Sequence, residues 1–202
     1  MKLRLGILLT ALLMFSVQAF ATTQAANAST VSPTLKINVT VQKAIQLTLS
    51  QGTGCTLGST GADYSMDFGT VDALGISTGT CGSKYAPTTP GSTPAVYYTD
   101  YKLTPAFSGQ IGGTTGTLTA YVSTNFTNTA VLAVVQSNAA PAGIGSFSAM
   151  SLLVGTPTSV GTSLVNATAI TRYVGVQVSV QNGASAFTGA DSAIVTYTLT
   201  VP

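Results

Sequence analysis

Residues 34–49 read TLKINVTVQKAIQLTL, and they carry the strongest periodic signal in the chain. Apolar side chains stand at every second position, with one interruption at Lys43: Leu35, Ile37, Val39, Val41, Ile45, Leu47 and Leu49. A period of two places alternate side chains on opposite faces of an extended chain, so the run predicts half-buried β-structure. Because strands usually span about 3–10 residues, the run is either two strands that meet near Lys43 and Ala44 or one strand that extends beyond its own domain.

Shorter segments of the same kind follow along the chain. Six are predicted to be strands: residues 96–103, 117–123, 130–136, 151–154, 172–180 and 193–201. The sequence is rich in Thr and Val, contains 21 Gly residues, and shows no helical periodicity over three turns. Short strands separated by turns predict an all-β fold, an immunoglobulin-like antiparallel β-sandwich. The Gly- and Ser-rich stretches 79–94 and 138–149 are predicted to be loops.

The first 21 residues have the features of a secretory signal peptide. Lys2 and Arg4 precede an apolar run that ends near Phe15, and Ala19-Phe20-Ala21 fits the small-x-small cleavage pattern. The apolar run is too short for a membrane-spanning helix, which needs about 20 apolar residues. We therefore expect a secreted protein that does not insert into the membrane.

The rest of the chain is predicted to be one domain with no net charge. Two of the seven basic residues, Lys2 and Arg4, fall within residues 1–21, and the five that remain equal the five acidic residues in number. Such a chain lacks the basic surface that binds nucleic acid or anionic membranes, and near-zero net charge favours association between copies. Residues 22–33 are predicted to form a flexible arm and residues 34–202 a single β-sandwich domain.

Two short motifs match catalytic sequences, but the residue types that would complete them are missing. Asp67-Phe68-Gly69 matches the magnesium-binding tripeptide of protein kinases, which also require a Glu paired with a Lys and a His-containing catalytic loop. Gly75-Ile76-Ser77-Thr78-Gly79 matches the nucleophile elbow of hydrolases, which needs a His base. The chain has neither His nor Glu. We therefore expect no enzymatic activity, no catalytic residues and no cofactor.

Asp63, Asp67 and Asp72 form the one acidic cluster along the sequence. Three carboxylates near loop carbonyls can bind calcium, but the spacing does not match an EF-hand loop, and no Glu is present to act as a bidentate ligand. We interpret the three residues as surface-loop aspartates and predict no metal site. A calcium site is the alternative interpretation.

Cys55 and Cys81 are the two cysteines of the chain. Export would place them in an oxidising compartment, where disulfides form and persist. A Cys55–Cys81 disulfide is therefore predicted, and two free thiols are the alternative.

The order of several short motifs resembles a known family. Thr53-Gly54-Cys55-Thr56-Leu57 follows the alternating run, Phe68-Gly69-Thr70-Val71 comes about a dozen residues later, and residues 193–201 form a final alternating strand. In this order the chain resembles the spore coat protein U domain and the archaic chaperone–usher pilin subunits. The matches cover the first 60 or so residues after the expected cleavage site and the last dozen residues.

The resemblance implies an incomplete immunoglobulin fold that lacks its last strand. A periplasmic chaperone would fill the gap first, and the N-terminal strand of a further subunit would replace it at an outer-membrane usher, a form of strand addition. The expected donor residues are Leu35, Ile37, Val39 and Val41, which the alternating pattern also places on one face. The expected groove or final-strand residues are Val195, Tyr197, Leu199 and Val201.

Two functions are therefore expected from the sequence. The first is a structural subunit of a surface pilus or coat, whose partners are copies of itself or related subunits, located at the cell surface or in an extracellular filament. The second is a self-contained secreted adhesion or binding module, in which residues 35–49 pair within their own domain. The two functions differ in the role of residues 35–42, which precede the interruption at Lys43 and Ala44. A structural subunit would dock these residues in another copy, whereas a self-contained module would pair them within its own domain.

Overall fold

The structure is a computed structural model, and it describes residues 36–39, 44–58, 64–89, 91, 93–108, 115–180 and 189–202. The chain divides into two units, Met1–Thr40 and Val41–Pro202. In the first unit, residues 36–39 are described and have no regular secondary structure. The predicted signal peptide and arm lie outside the described residues.

The regular secondary structure described in the second unit is almost entirely β-strand, and the predicted all-β antiparallel sandwich is confirmed. Its described part contains one 3-10 turn, Ile144–Ser146, and nine strands in chain order: β1 (Ala44–Gln51), β2 (Ser83–Tyr85), β3 (Ala95–Ser108), β4 (Thr115–Thr124), β5 (Leu132–Ser137), β6 (Ser148–Ala149), β7 (Thr158–Val165), β8 (Ile170–Val178) and β9 (Ile194–Thr200). Among the described residues, no helix has the length and apolar character needed to span a membrane.

The strands form two antiparallel sheets. The first has the order β1-β3-β8-β5-β6, and β2 pairs with β3 on the same edge as β1. The second has the order β7-β4-β9. The inward-facing residues of both sheets make one core, whose most buried large side chains include Tyr97, Tyr101, Leu103, Leu118 and Val160. Alternate residues of the long central strands supply this core, as the period of two requires.

β1 and β2 form one interrupted edge strand. Gln51, the last residue of β1, pairs with Tyr101, and Ser83, the first residue of β2, pairs with Tyr98. Both strands run antiparallel to β3, so β2 continues along β3 from the point at which β1 stops. Residues 52–82, which we call the insertion, lie between the two strands.

A disulfide joins the two ends of the insertion. Cys55 and Cys81 are bonded, with Cα atoms 4.8 Å apart, so the predicted disulfide is confirmed. Beside it, the Gly82 N–H donates a hydrogen bond to the Gly54 carbonyl at 3.0 Å. Gly82 has a φ of 78°, and a Cβ at this position would collide with the Tyr98 carbonyl. Glycine is therefore required where the insertion rejoins the sheet.

Three sequence-based assignments were wrong in detail. Residues 151–154 form no strand, and the predicted loops 79–94 and 138–149 contain β2 and β6. β7 was not predicted, because Gly161 and several Thr and Ser residues interrupt its apolar alternation. A register shift in its pairing with β4 between Gly116 and Leu118 breaks the period of two further. Tertiary pairing overrides local preference in such segments.

Candidate functional site

The two sheets end in unpaired edges on the same side of the sandwich. β1 pairs with β3 through all eight of its residues, and β9 pairs with β4, but within the described part of the chain no strand pairs with the other edge of either one. An antiparallel strand with one neighbour directs about half of its backbone N–H and C=O groups away from that neighbour. We call the space between β1 and β9 the open side.

Apolar side chains line the open side and remain half-buried. They come from the inward faces of the two edge strands: Leu47, Leu49, Val195, Tyr197, Leu199 and Val201. The first five pack against the buried core. Removing apolar surface from water lowers the free energy of the protein. A segment that covered these half-buried side chains would therefore be bound favourably.

The opposite side of the sandwich is closed by the chain itself. The Met150 N–H donates a hydrogen bond to the Val134 carbonyl of β5 at 3.0 Å, and the Val122 N–H of β4 donates to the Ser151 carbonyl at 2.8 Å. The segment 148–151 therefore bridges the two sheets, and the Met150 side chain is only 3% exposed between them. No described segment bridges β1 and β9 in this way.

Tyr197 connects the open side to the centre of the core. Its hydroxyl donates a hydrogen bond to the Tyr101 hydroxyl of β3 at 2.8 Å, and the two rings meet edge to face with centroids 6.0 Å apart. Burial raises the pKa of Tyr197 to about 12 and also raises the pKa of Tyr101 well above its ordinary value. Both hydroxyls are therefore neutral at physiological pH, and the pair is a packing contact rather than an acid–base pair.

Neither open edge carries the residues that natural proteins use to prevent strand pairing. Exposed edges are commonly protected by Lys or other charged side chains, or by Pro. β1 has the sequence AIQLTLSQ and β9 the sequence IVTYTLT, with no charged residue and no Pro. The charged residues of the first sheet lie instead in β2, β3 and β8, at Lys84, Asp100, Lys102 and Arg172. The composition of the two edges is therefore compatible with the addition of another strand.

The insertion covers the core beside β2 and so limits the length of the open side. Phe68 and Val71, together with Met66 and Ala73, are half-buried against the core. The buried Tyr97 hydroxyl donates to the Ser77 carbonyl at 3.1 Å, and the Asp72 N–H approaches the same hydroxyl at 3.3 Å. The open side therefore extends along β1 and stops where the insertion begins.

Two aspartates hold the insertion in shape. The Asp72 carboxylate accepts hydrogen bonds from the backbone N–H groups of Leu74, Ile76 and Ser77. Burial alone would raise the pKa of Asp72, but these hydrogen bonds, with that of Ser77 foremost, outweigh it and hold the pKa well below its ordinary value. Asp72 therefore acts as an internal cap for a loop, as Asp commonly does in turns.

Asp100 of β3 anchors the beginning of the insertion. Its Oδ1 accepts hydrogen bonds from the Thr53 N–H at 2.8 Å and the Thr53 hydroxyl at 2.9 Å. Burial would raise its pKa, but the hydrogen bonds from Thr53 and Gly54 lower it overall.

The sequence-predicted site residues are distributed as follows. Val195, Tyr197, Leu199 and Val201 lie on one face of the open side. Ile37 and Val39 are 80% and 81% exposed, whereas Leu35 and Val41 lie outside the described residues. β1 begins at Ala44, directly after the interruption at Lys43. The contribution of Leu47 and Leu49 to the open side was not predicted, because the sequence does not reveal which strand becomes an edge.

The described members of the acidic cluster, Asp67 and Asp72, each accept hydrogen bonds from backbone N–H groups of their own loop. Asp67 accepts a hydrogen bond from the Gly69 N–H at 2.8 Å, Asp72 caps its own loop, and Asp63 lies outside the described residues. Within the described residues, no group of three or more His, Cys, Asp or Glu side chains is placed to hold a metal ion.

Comparison with known proteins identifies no relative: no family model, curated protein or solved structure matches this chain.

Proposed function

We propose that the protein is a structural subunit of a surface filament or coat, and that it assembles by strand addition. Residues 35–41 of one copy would dock as an extra strand on the open side of another copy. The observation that carries this proposal is the pair of uncharged edges, β1 and β9, which pair with no further described strand and have half-buried apolar side chains between them. Resemblance to the archaic chaperone–usher pilin subunits supports the same proposal, and it adds a periplasmic chaperone and an outer-membrane usher as expected partners.

The dimensions of the proposed strand match the open side. Seven residues in extended conformation span about 23 Å, and β9, which lines one wall, also has seven residues. The proposed strand carries four apolar side chains on one face, Leu35, Ile37, Val39 and Val41, and β9 with the residue after it carries four on its inner face. Main-chain hydrogen bonds would provide affinity, and the alternate side chains would enter the core, as in strand addition generally.

The proposed contact joins two different surfaces and therefore need not close on itself. A donor segment on one copy and an acceptor side on the next form a heterologous interface, which gives an open filament when the rotation between copies does not close a ring. This property favours a filament over a closed oligomer of defined size.

The decisive experiment supplies the proposed strand separately. A chain without residues 1–42 should be stabilised by a peptide of residues 34–42, with a thermal midpoint that rises with peptide concentration, because a ligand that binds only the folded state stabilises it. The mature chain from residue 22 should form filaments visible by electron microscopy, whereas the chain without residues 22–42 should not.

A matched pair of variant peptides tests which face of the proposed strand enters the core. Val39→Asp would place a charge in the core and should abolish the stabilisation, whereas Asn38→Asp places the same charge on the opposite face and should retain most of it. The proposal is refuted if none of the three peptides, natural or variant, changes the thermal midpoint of the truncated chain. It is also refuted if the truncated and the mature chain are both monomers of equal stability.

A self-contained adhesion or binding module is the second candidate, and one observation favours it. All eight residues of β1 pair with β3 within the same chain, so the half of the alternating run after Lys43 is already used inside its own domain. In that case the mature chain would be monomeric at all concentrations, and removal of residues 22–42 would lower its thermal midpoint, because residues 35–41 would pair within their own domain.

A further inference from the structure

The described strands give the sandwich two further sheet edges besides those of the open side. The first sheet ends at β6 and the second at β7. β6 has only two residues, and the segment that continues it bridges the two sheets. β7 has eight residues, as many as β1. A strand of this length at the edge of a sheet can pair with another chain unless some feature prevents it.

The backbone of β7 is irregular, whereas β1 and β9 are regular. Gly116 of β4 pairs with Leu164, and Leu118 pairs with Gly161. Three steps along β7 therefore face two along β4, and a second extra residue of β7 follows between Gly161 and Ser159. Such β-bulges bend a strand and increase its twist. β1 pairs with β3 without interruption, and the one register shift between β4 and β9 adds its extra residue to β4.

The first bulge of β7 contains a residue that is not extended. Ser163 has a φ of 54°, in the left-handed region that residues other than Gly seldom adopt. Strands pair through hydrogen bonds that recur at a regular spacing along extended backbone. An added strand could therefore not follow β7 along its whole length.

Two side chains also occupy backbone carbonyls of β7. The Arg172 Nε donates a hydrogen bond to the Val160 carbonyl, and the Asn138 Nδ2 donates to the Ser159 carbonyl at 3.1 Å. Arg172 belongs to β8, and Asn138 directly follows β5, so both donors reach β7 from the opposite sheet. The two carbonyls belong to consecutive residues in the half of β7 that precedes Ser163.

Arg172 places a positive charge against the inner side of β7. It pairs with the buried Tyr101 of β3, so the two side chains lie on the same, inward face of the first sheet. A Cβ at Gly161 would lie 3.3 Å from the Nη2 of Arg172, which places the guanidinium next to the backbone of β7. A strand added beside β7 would bring further apolar side chains to this half-buried charge and remove it from water, which is unfavourable.

We propose that Arg172 and Asn138, together with the two bulges, protect β7 from strand addition, so that each copy accepts one strand, on the open side. This inference rests on the proposed strand docking. Inward-pointing charges and bulges are two means by which proteins protect exposed edges. They act on an incoming strand of either direction. One donor segment and one accepting side per copy give an unbranched filament, whereas a second accepting edge would produce branches.

Electron microscopy of mature variant chains tests this protection. The double variant Asn138→Ala, Arg172→Met removes both side-chain hydrogen bonds and the charge, while Met retains an unbranched apolar side chain at the position of Arg172. We expect unbranched filaments from the wild-type chain and branched filaments from the double variant. Lys102→Met, which removes an exposed charge from β3, is the matched control and should give unbranched filaments.

Peptide binding locates and counts the accepting edges. The chain without residues 1–42 retains all nine described strands and is mixed with a saturating excess of the 34–42 peptide. Native mass spectrometry should show one peptide per wild-type chain and two per double variant. Amide hydrogen exchange should show no new protection of residues 158–165 in the wild-type chain. Asn138→Ala alone changes an exposed side chain; it should bind a second peptide more weakly, and it decides the question if the Arg172 change prevents folding.

The outcomes separate this inference from the proposed function. Two peptides on the wild-type chain, new protection of its β7, or a single peptide on both the double variant and Asn138→Ala would overturn the protection of β7. Each of these results would leave strand docking intact. A wild-type chain that binds no peptide and forms no filaments would overturn strand docking, and this inference with it.

Discussion

At the scale of single residues, aspartates organise loops. Asp72 holds the insertion, Asp100 fastens its start to β3, and Asp191 accepts hydrogen bonds from the Thr127 and Asn128 backbone N–H groups ahead of β9. The hydrogen bonds from Thr127 and Asn128 lower the pKa of Asp191 to about 2. Carboxylates with lowered pKa values stabilise the folded state only while they are ionised.

The free energy of unfolding should therefore decrease when the pH falls from about 4 towards 2. Over this range the unfolded chain, whose aspartates have pKa values of about 3.9, binds protons that the folded chain does not. Between about pH 5 and 8 the free energy should be nearly constant, because the chain has no His or Glu. Urea denaturation at a series of pH values measures both regions.

Two substitutions identify the residues responsible for this acid dependence. Asp72→Asn should reduce the slope below pH 4, because its carboxylate accepts hydrogen bonds from three backbone N–H groups. Asp67→Asn, in the same insertion, is the matched control. An unchanged slope in Asp72→Asn would show that this loop does not contribute to the pH dependence.

At the scale of elements, the sandwich differs between its two sides. On one side the short segment around Met150 bridges the sheets through backbone hydrogen bonds, and on the other side β1 and β9 remain unbridged in the described chain. The insertion covers only the part of the core beside β2. The open side therefore results from the position of these two segments, and not from a shortage of apolar residues.

Removal of the Met150 side chain should destabilise the folded domain. Met150→Ala leaves a cavity between the sheets and should lower the free energy of unfolding by about 2–5 kcal/mol. Leu152→Ala, two residues later, removes a side chain that is 56% exposed and should change it by less than about 0.5 kcal/mol. Chemical denaturation of both variants measures the difference. Equal effects would contradict the bridging role of Met150.

The disulfide should stabilise the same domain through the insertion. The two cysteines are 26 residues apart, and closing a loop of this size is worth roughly 3–4 kcal/mol in the chain-entropy model. A Cys55→Ser, Cys81→Ser double variant should lose this amount, measured by urea denaturation. The wild-type chain in reducing buffer is the control and should behave like the variant. A variant as stable as the oxidised chain would contradict the prediction.

At the scale of the whole molecule, the chain combines neutrality with uncharged open edges. Five basic and five acidic residues remain after residue 21, so copies repel one another little. The proposed assembly depends on main-chain hydrogen bonds and apolar burial, neither of which is strongly screened by salt. Assembly should therefore be driven by the fit of one strand into a core and not by long-range attraction.

The rate of filament assembly should depend only weakly on ionic strength. Between about 50 and 500 mM NaCl, light scattering of the mature chain should show rates within a few-fold of one another, since electrostatic steering is absent. Asn38→Lys, which adds a charge to the polar face of the proposed strand, is the control in which a salt dependence should appear. A steep fall in the wild-type rate with salt would indicate that charge pairs drive assembly.

The sequence by itself determined the class of fold and the disulfide. Period-two alternation is a local property, so residues 172–180 and 193–201 could be assigned as strands from their own side chains, and β8 and β9 overlap them closely. Cys55 and Cys81 had no other cysteine with which to pair. The absence of His and Glu was equally visible, because composition needs no coordinates.

Only the tertiary structure decided which strands are edges and where the sandwich stays open. β1 and β2 are separated by the insertion and yet share one edge of β3, and β9 borders the open side because, among the described strands, it pairs with β4 alone. The strands that pair here are distant from one another in the sequence. Alternation of apolar residues shows that a residue faces the core, but it does not show which strand lies beside it. Leu47 and Leu199 are therefore recognisable as inward-facing from the sequence, but their half-buried state depends on a neighbouring strand that no described part of the chain supplies.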